Sequence, residues 1–403
     1  MRHKFFLTGL LIVVLLTLAA THLLPSRALS LRENRPLHQF PSGTGADFIA
    51  GRFQEQWEKA LADQLFLADS YKQLYNGYKQ LGLGLTTGLL TAFIKEKPEQ
   101  ISGFEATYLP RGENVFEIKE SGNLFLFVYE PDRLLPIFRE KLWQFKKAAG
   151  RSNQAEYYLY YIESNRDIDF KHKQFPHVYQ KLLQTEFAEI GLSAFFKIDS
   201  LKDFTQQFYR TDHHWNHVGQ AKAYQQVISL LLGPEEPLYS LYPHQTAGIQ
   251  FVGSRARQID DFSKGDDFYI NLAEIPPYHV YVNEQESEHG HLSAYAADQV
   301  ADNIEISHYA ECFGPDKGLI EYDFMAVDKP NLLVLADSYS NAVNHLLAAH
   351  FNHSYFVDLR HYHKDTGKKF ELNHFIDSHQ IDKVLIMGSA GMIIADEFAF
   401  EVE

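Results

Sequence analysis

Cysteine is almost absent: Cys312 is the only one in 403 residues. No internal disulfide can form, and a zinc knuckle lacks its ligands, so the fold must rest on packing alone. Basic residues are the minority charge. Lys and Arg number 37 against 52 Asp and Glu, a net charge of −15. A chain that binds nucleic acid without sequence preference needs a basic footprint for phosphates, and this one lacks it. Proline (15) and glycine (24) are too few for a collagen-like or low-complexity chain. What is present is apolar, at 45% of residues, with 14% aromatic, enough for a substantial packed core. The length allows two or three domains, or one large α/β domain carrying insertions.

Charge is also missing from one particular stretch. Phe5 to Leu24 runs twenty residues without Asp, Glu, Lys or Arg, directly after Arg2, His3 and Lys4. As a helix it would reach about 30 Å, the thickness of a bilayer core. Basic residues before the run place the N-terminus inside and the remainder outside. A cleaved signal peptide would have a shorter apolar core and a small-x-small site. Ser26-Arg27-Ala28 is a poor site of that kind, which favours an uncleaved signal anchor over residues 1–24. Both readings put the remaining chain on the extracytoplasmic side, and the anchor reading makes it a single-pass cell-membrane protein.

Residues 25–50 contain Pro25, Pro36, Pro41, Gly43 and Gly45 and read as a tether. Phe53, Trp57, Leu61 and Leu65, then Leu74 and Tyr78, predict one long helix over roughly 50–80. Beyond it, strand signals at 124–129, 157–162, 194–198, 332–335, 355–357 and 384–387 interleave with helical stripes. Those stripes fall near 131–148, 177–190, 218–231, 341–350 and 370–379. Alternating β and α units predict a parallel sheet covered on both faces. Residues 233–330, rich in Pro, Tyr, Asp and Gly, break the rhythm and read as an insertion within a domain spanning 51–403.

Two clusters can carry chemistry. The first is Thr211-Asp212-His213-His214-Trp215-Asn216-His217. A carboxylate two residues from an imidazole can fix its tautomer and stabilise its charged form, while the other ring nitrogen takes a proton. Asn216 is a candidate N-cap for the helix that follows. Asp212, His214 and His217 could alternatively ligate zinc, but no cysteine or HExxH pattern supports a metal. The second cluster is Leu332-Leu333-Val334-Leu335-Ala336-Asp337-Ser338, a buried strand ending in Asp-Ser. That ending puts the Ser338 hydroxyl at the C-terminal edge of a parallel sheet, where open α/β sheets bind ligands, close to the amides of a helix start. Ser338 needs a base to attack. His214 is the best candidate, although it lies 124 residues away in sequence.

Asp212-His213-His214-Trp215 is similar to the signature of the DHHW family, relatives of the SGNH hydrolase-like proteins that O-acetylate alginate and other bacterial polysaccharides. Glu33-Asn34-Arg35 with Phe40-Pro41, Trp57 through Tyr75, Phe251-Val252-Gly253-Ser254 and Val357-Asp358-Leu359-Arg360 extend the resemblance over roughly residues 30–390. The resemblance implies an SGNH-hydrolase-like parallel sheet flanked by helices. It also implies Ser338 as nucleophile with His214 and Asp212 completing a triad. Ala336 stands where SGNH enzymes usually have Gly. Asp and His precede the serine, an order shared with the acetylation branch. The ending Gly388-Ser389-Ala390-Gly391 differs from the family's usual Tyr-Asn. Gly253 and Asn341 are oxyanion-hole candidates. Arg360 could clamp an acidic sugar or pair with Asp358, and Trp215 could stack on a sugar ring.

The sequence thus points to an extracytoplasmic O-acetyltransferase acting on an envelope or exported polysaccharide through an acyl-serine, with no cofactor or metal. The resemblance implies a membrane-bound O-acyltransferase as the partner that supplies acetyl groups. An acetylesterase with the same triad and a non-catalytic glycan-binding accessory are the alternatives.

Overall fold

The computed structural model describes residues 11–12, 16–17, 19–21, 23–30, 32–33, 35–41, 52–93, 106–112, 114–150, 155–287, 303–314 and 316–400. The expected anchor helix falls mostly outside these residues. No helix among the described residues is long and apolar enough to cross a membrane.

An eight-stranded mixed sheet organises the chain. Its order is Gln285–Glu286, His279–Val282, Leu319–Asp323, His353–Val357, Leu332–Ala336, Lys383–Gly388, Glu156–Ile162 and Gly191–Phe196. The last five are mutually parallel, and the first three add an antiparallel edge. Side-chain alternation feeds two cores. Tyr158, Tyr160, Val334 and Met387 face one layer. Tyr157, Leu159, Tyr161, Leu333, Leu335 and Ile386 face the other. A strand buried on both faces reads as a continuous apolar run, which is why these strands are visible in the sequence. Helices Pro131–Ala149, Val178–Phe187 and Leu372–His379 cover the second layer, and His217–Leu232 with Asn344–Ala348 cover the first.

Four features depart from the sequence expectations. The single helix expected over 50–80 is two, Arg52–Gln64 and Ala68–Phe93, broken where Leu67 adopts φ 60°. The break has a cause in the buried Asp63 and Gln64. Asp63 accepts hydrogen bonds from Arg35 and His38, and Gln64 accepts from the Arg27 amide, so the helix end is tied to residues 27–38. Residues 242–323 are not an excursion from the sheet. They supply its antiparallel edge, a hairpin of Tyr242–Phe251 with Asp266–Leu272, and a short helix His308–Phe313. The helix expected after Ser338 is a 3₁₀ turn, Ser340–Ala342, followed by one turn of α-helix, Asn344–Ala348. A helix that no apolar stripe signals, Leu359–Thr366, carries His361 and His363, and its N-cap Asp358 accepts from the Arg360 amide.

Candidate active site

Ser338 follows the central strand Leu332–Ala336 and is half-buried. The turn that carries it is fixed by its neighbour. The Asp337 carboxylate accepts from the Tyr339 amide at 3.2 Å and from the Ser389 amide and hydroxyl at 3.2 and 3.1 Å. Asp337 therefore ties the Ser338 turn to the end of the adjacent strand. Burial pushes its carboxyl above the usual range, against the pull of the Ser389 amide and of Arg360.

The Asp-His-His-Trp segment is held at both ends. Trp215 has 0% exposure and packs between Phe196 and Tyr339, each at a centroid distance of 5.4 Å. The Asn216 side chain accepts from the amides of Val218 and Gly219, capping the helix His217–Leu232. With both ends pinned, His214 is presented to the strand edge. Its Nδ1 meets Asp212 Oδ1 at 2.6 Å and its Nε2 meets Ser338 Oγ at 2.8 Å. Asp212 Oδ1 also accepts from the His214 amide at 2.9 Å, and Oδ2 accepts from the Ser254 amide at 2.5 Å. Burial alone would push this carboxyl up. The His213 and His214 rings, with the hydrogen bonds from His214 and Ser254, outweigh it and hold Asp212 well below the usual carboxylate range.

His214 sits in an aromatic box. Tyr309, from the short helix His308–Phe313, stacks on its ring at 4.1 Å and 11°. His213 lies against it at 3.9 Å, and Tyr339 approaches at 5.2 Å and 60°. The Tyr309 hydroxyl donates to the Ser338 carbonyl at 3.1 Å, and the Tyr339 hydroxyl donates to the His213 carbonyl at 2.6 Å. His213 pairs through Nδ1 with Ser254 Oγ at 2.8 Å. Burial, then the neighbouring His214 charge, pull its pKa down to about 3, so this second imidazole is neutral at physiological pH.

The oxyanion-hole and binding candidates separate. Gly253 has its N–H committed to Thr211 Oγ1 at 3.0 Å. Its role is close approach, because an added Cβ would lie 2.3 Å from the Asp212 Cβ. The Ser338 amide makes no hydrogen bond among the described residues and is free to meet an oxyanion. Asn341 lines the cleft but spends its amide on Asp316 at 3.0 Å. Trp215 is a core residue, so no sugar can stack on it. Arg360 lines the cleft, yet its guanidinium grips Asp358 through Nε at 2.9 Å and Nη2 at 2.5 Å, and reaches Asp316 at 3.1 Å.

Among the described residues, two groups could offer ligands to a metal: Asp212, His213 and His214, and Asp316, Asp358 and His361, each with ligand atoms within 4.8 Å of one another. In the first, both His214 nitrogens are already engaged by Asp212 and Ser338. In the second, Arg360 occupies both carboxylates. His217, weighed as a ligand, instead lies against Tyr269 at 4.4 Å.

The cleft above Ser338 has a volume of about 1080 Å³. Asp212, His213, His214 and Ser338 line it, and so do Glu33, Arg35, Asp63 and Lys72. Sequence reasoning placed these four in the tether and first helix and gave them no part in a site.

No protein-family model matches the sequence, and no curated protein matches it. Solved structures do. Bacillus cereus PatB1 with a sulfonyl adduct aligns at 18% identity over 72% of this chain and 98% of that one, with a TM-score of 0.54. A DHHW family protein from Eubacterium siraeum aligns at 14% identity over 71% and 93% of the two chains, with a TM-score of 0.51. The chain has the fold of a DHHW family protein. A second PatB1 structure agrees, at 16% identity over 74% and 100% of the two chains and a TM-score of 0.51. Within this DHHW fold the tetrapeptide has a physical division of labour. Asp212 orients, His214 faces the serine, His213 buttresses the ring, and Trp215 anchors the segment in the core.

Proposed function

We propose that the chain is an extracytoplasmic O-acetyltransferase that moves acetyl groups to a polysaccharide hydroxyl through an acyl-Ser338 intermediate. The observation that carries this reading is the continuous Asp212–His214–Ser338 relay, 2.6 and 2.8 Å per link. His214 Nε2 takes the Ser338 proton as Oγ attacks the acyl carbonyl. Asp212 stabilises the imidazolium, and the Ser338 amide meets the oxyanion. The proton then passes to the leaving group. In the second half, His214 takes a proton from a sugar hydroxyl that attacks the acyl carbon, and returns it to Ser338. PatB1, which shares the fold, has been captured with a sulfonyl adduct, and this supports a sulfonyl compound as the probe.

The proposal extends to location and supply. The apolar Phe5–Leu24 run would anchor the chain in the cell membrane, and a membrane-bound O-acyltransferase would bring acetyl groups across it. The decisive test is covalent labelling by a sulfonyl fluoride. The parent should label once, at Ser338, and Ser338→Ala should not label. Undiminished labelling of the variant would sink the assignment. Partition of a preformed acyl-enzyme between water and a glycan then distinguishes transfer from ester hydrolysis.

A further inference from the structure

A surface helix ordinarily lays its apolar stripe on the protein and turns its polar side to water. The helix Ala68–Phe93 does the reverse. Leu67, just before it, and Tyr71, Leu74, Tyr75, Tyr78 and Leu81 recur at three- and four-residue steps and so share one face. All six are exposed, Leu74, Tyr78 and Leu81 by 73, 76 and 67%. The side turned to the protein is the charged one. Asp69 pairs with Arg27 at 2.6 Å, and Lys72 with Glu33 at 2.7 Å. Lys72 also lines the cleft above Ser338. The outward apolar stripe therefore needs a cover from outside the described residues.

Two features say what that cover is. The first is where the helix starts. The Phe66 amide donates to Thr21 Oγ1 at 2.9 Å, and Thr21, Leu24 and Arg27 border one groove together with residues 64–70. Thr21 and Leu24 belong to the uncharged run Phe5–Leu24, so the stripe begins beside the end of that run. With the run as an anchor, that end lies at the membrane surface. The second feature is composition. Three of the six stripe residues are tyrosines, whose rings suit the headgroup boundary, whereas a seam between two copies of the helix would favour Leu, Ile or Val. Lys79 lies over the Tyr75 ring at 4.9 Å, and its stem is long enough to carry the charge to water beside an apolar face. Gln80 to Ile94 then runs fifteen residues without Asp, Glu, Lys or Arg. That is shorter than the roughly 20 residues a span requires and suits a helix lying in the interface.

We infer that Ala68–Phe93 is an interfacial helix that seats its Tyr71–Leu81 stripe in the outer surface of the lipid bilayer. The inference rests on the proposed anchor and extracytoplasmic location. It adds a positioning role. The opposite side of the helix is tied through Lys72 to Glu33 at the cleft, so a seated helix holds the Ser338 cleft beside the membrane surface, where an acetyl group carried across the membrane would emerge.

The test uses the full chain in vesicles of phosphatidylcholine with a minor share of phosphatidylglycerol. Leu74→Cys, Tyr78→Cys and, on the polar side, Gln73→Cys are each labelled with the environment-sensitive dye NBD. All three positions are exposed and Cys312 is fully buried, so the dye goes to the introduced thiol. At 74 and 78 the emission should be blue-shifted, and doxyl-labelled lipids should quench it several-fold more than at 73. Shallow doxyl groups should quench more than deep ones, as fits a helix about 5–10 Å into the headgroup boundary. Dyes at 74 and 78 as wet and unquenched as at 73 would overturn the inference alone. So would dyes shielded from water but not quenched by lipid, with Leu74→Cys oxidising to a cross-linked dimer, because the cover would then be a second copy. A chain that does not float with the vesicles would remove the anchor reading and this inference together. Sulfonyl fluoride labelling of Ser338 in the same vesicles reports on the acyl-transfer reading separately.

Discussion

Asp212→Asn tests the relay with the least change of shape. The carboxylate takes three donors: His214 Nδ1 at 2.6 Å, the His214 amide at 2.9 Å and the Ser254 amide at 2.5 Å. An amide has one acceptor oxygen and one donor nitrogen, so either orientation fails. With the nitrogen toward His214, Nδ1 must give up its proton, Nε2 carries it, and the ring cannot accept from Ser338. With the nitrogen toward Ser254, two donors face each other in a buried space. In both cases the imidazolium loses a carboxylate in contact with it. At an effective dielectric of about 20, that attraction is worth roughly 4–6 kcal/mol. Each 1.36 kcal/mol is tenfold in rate, so acylation should fall by about 10³–10⁴-fold, the scale seen when triads lose their carboxylate elsewhere. The assay is stopped-flow release of p-nitrophenol in the acylation burst, with thermal unfolding recorded in parallel. A folded Asp212→Asn protein that acylates within tenfold of the parent would refute the relay.

Three other expectations follow from the same geometry. Tyr309→Phe keeps the ring stacked on His214 and loses only the bond to the Ser338 carbonyl, so acylation should change only a few-fold; Tyr309→Ala removes the stack and should slow it by about 5–30-fold, the equivalent of roughly 1–2 kcal/mol of a desolvated cation–π contact. Trp215→Ala opens a cavity in the first core layer and should cost about 3–5 kcal/mol in urea unfolding, far more than loss of a surface stacking residue would. Asp167 has its pKa pushed up to about 8, first by burial and then by the Glu163 charge, so the folded protein holds a proton that the unfolded chain releases near pH 4. Its stabilisation is present below pH 4 and is lost as pH rises through about 8, so Asp167→Asn should gain melting temperature relative to the parent across that window.

What the sequence disclosed tracks how locally each feature is determined. The parallel strands announce themselves as runs such as Leu332–Leu335 because both faces are buried. The Asn216 cap is legible because its partners lie two and three residues away. The His214–Ser338 contact joins residues 124 apart, and only two motifs of complementary chemistry suggested it. Tyr309 was not legible. It is one of 23 tyrosines, and its value comes entirely from where the edge-strand segment folds back over His214. The helix Leu359–Thr366 escaped notice because only Tyr362 in it is buried, leaving no apolar stripe to read. The break after Gln64 escaped for the opposite reason. The apolar period runs on through it, and the cause is a set of polar bonds to residues 27–38.

Those same bonds have a consequence for any form of the chain cleaved between residues 42 and 51. Glu33 and Arg35 lie on one side of residues 42–51, Asp63 and Lys72 on the other, and the four together make one wall of the cleft. A cut between them leaves Asp212, His214 and Ser338 together but divides that wall between two pieces, held together by ion pairs that salt can screen. A fragment beginning at residue 51 would keep the Asp212–His214–Ser338 relay and lack Glu33 and Arg35, so the cleft would lose that part of its lining.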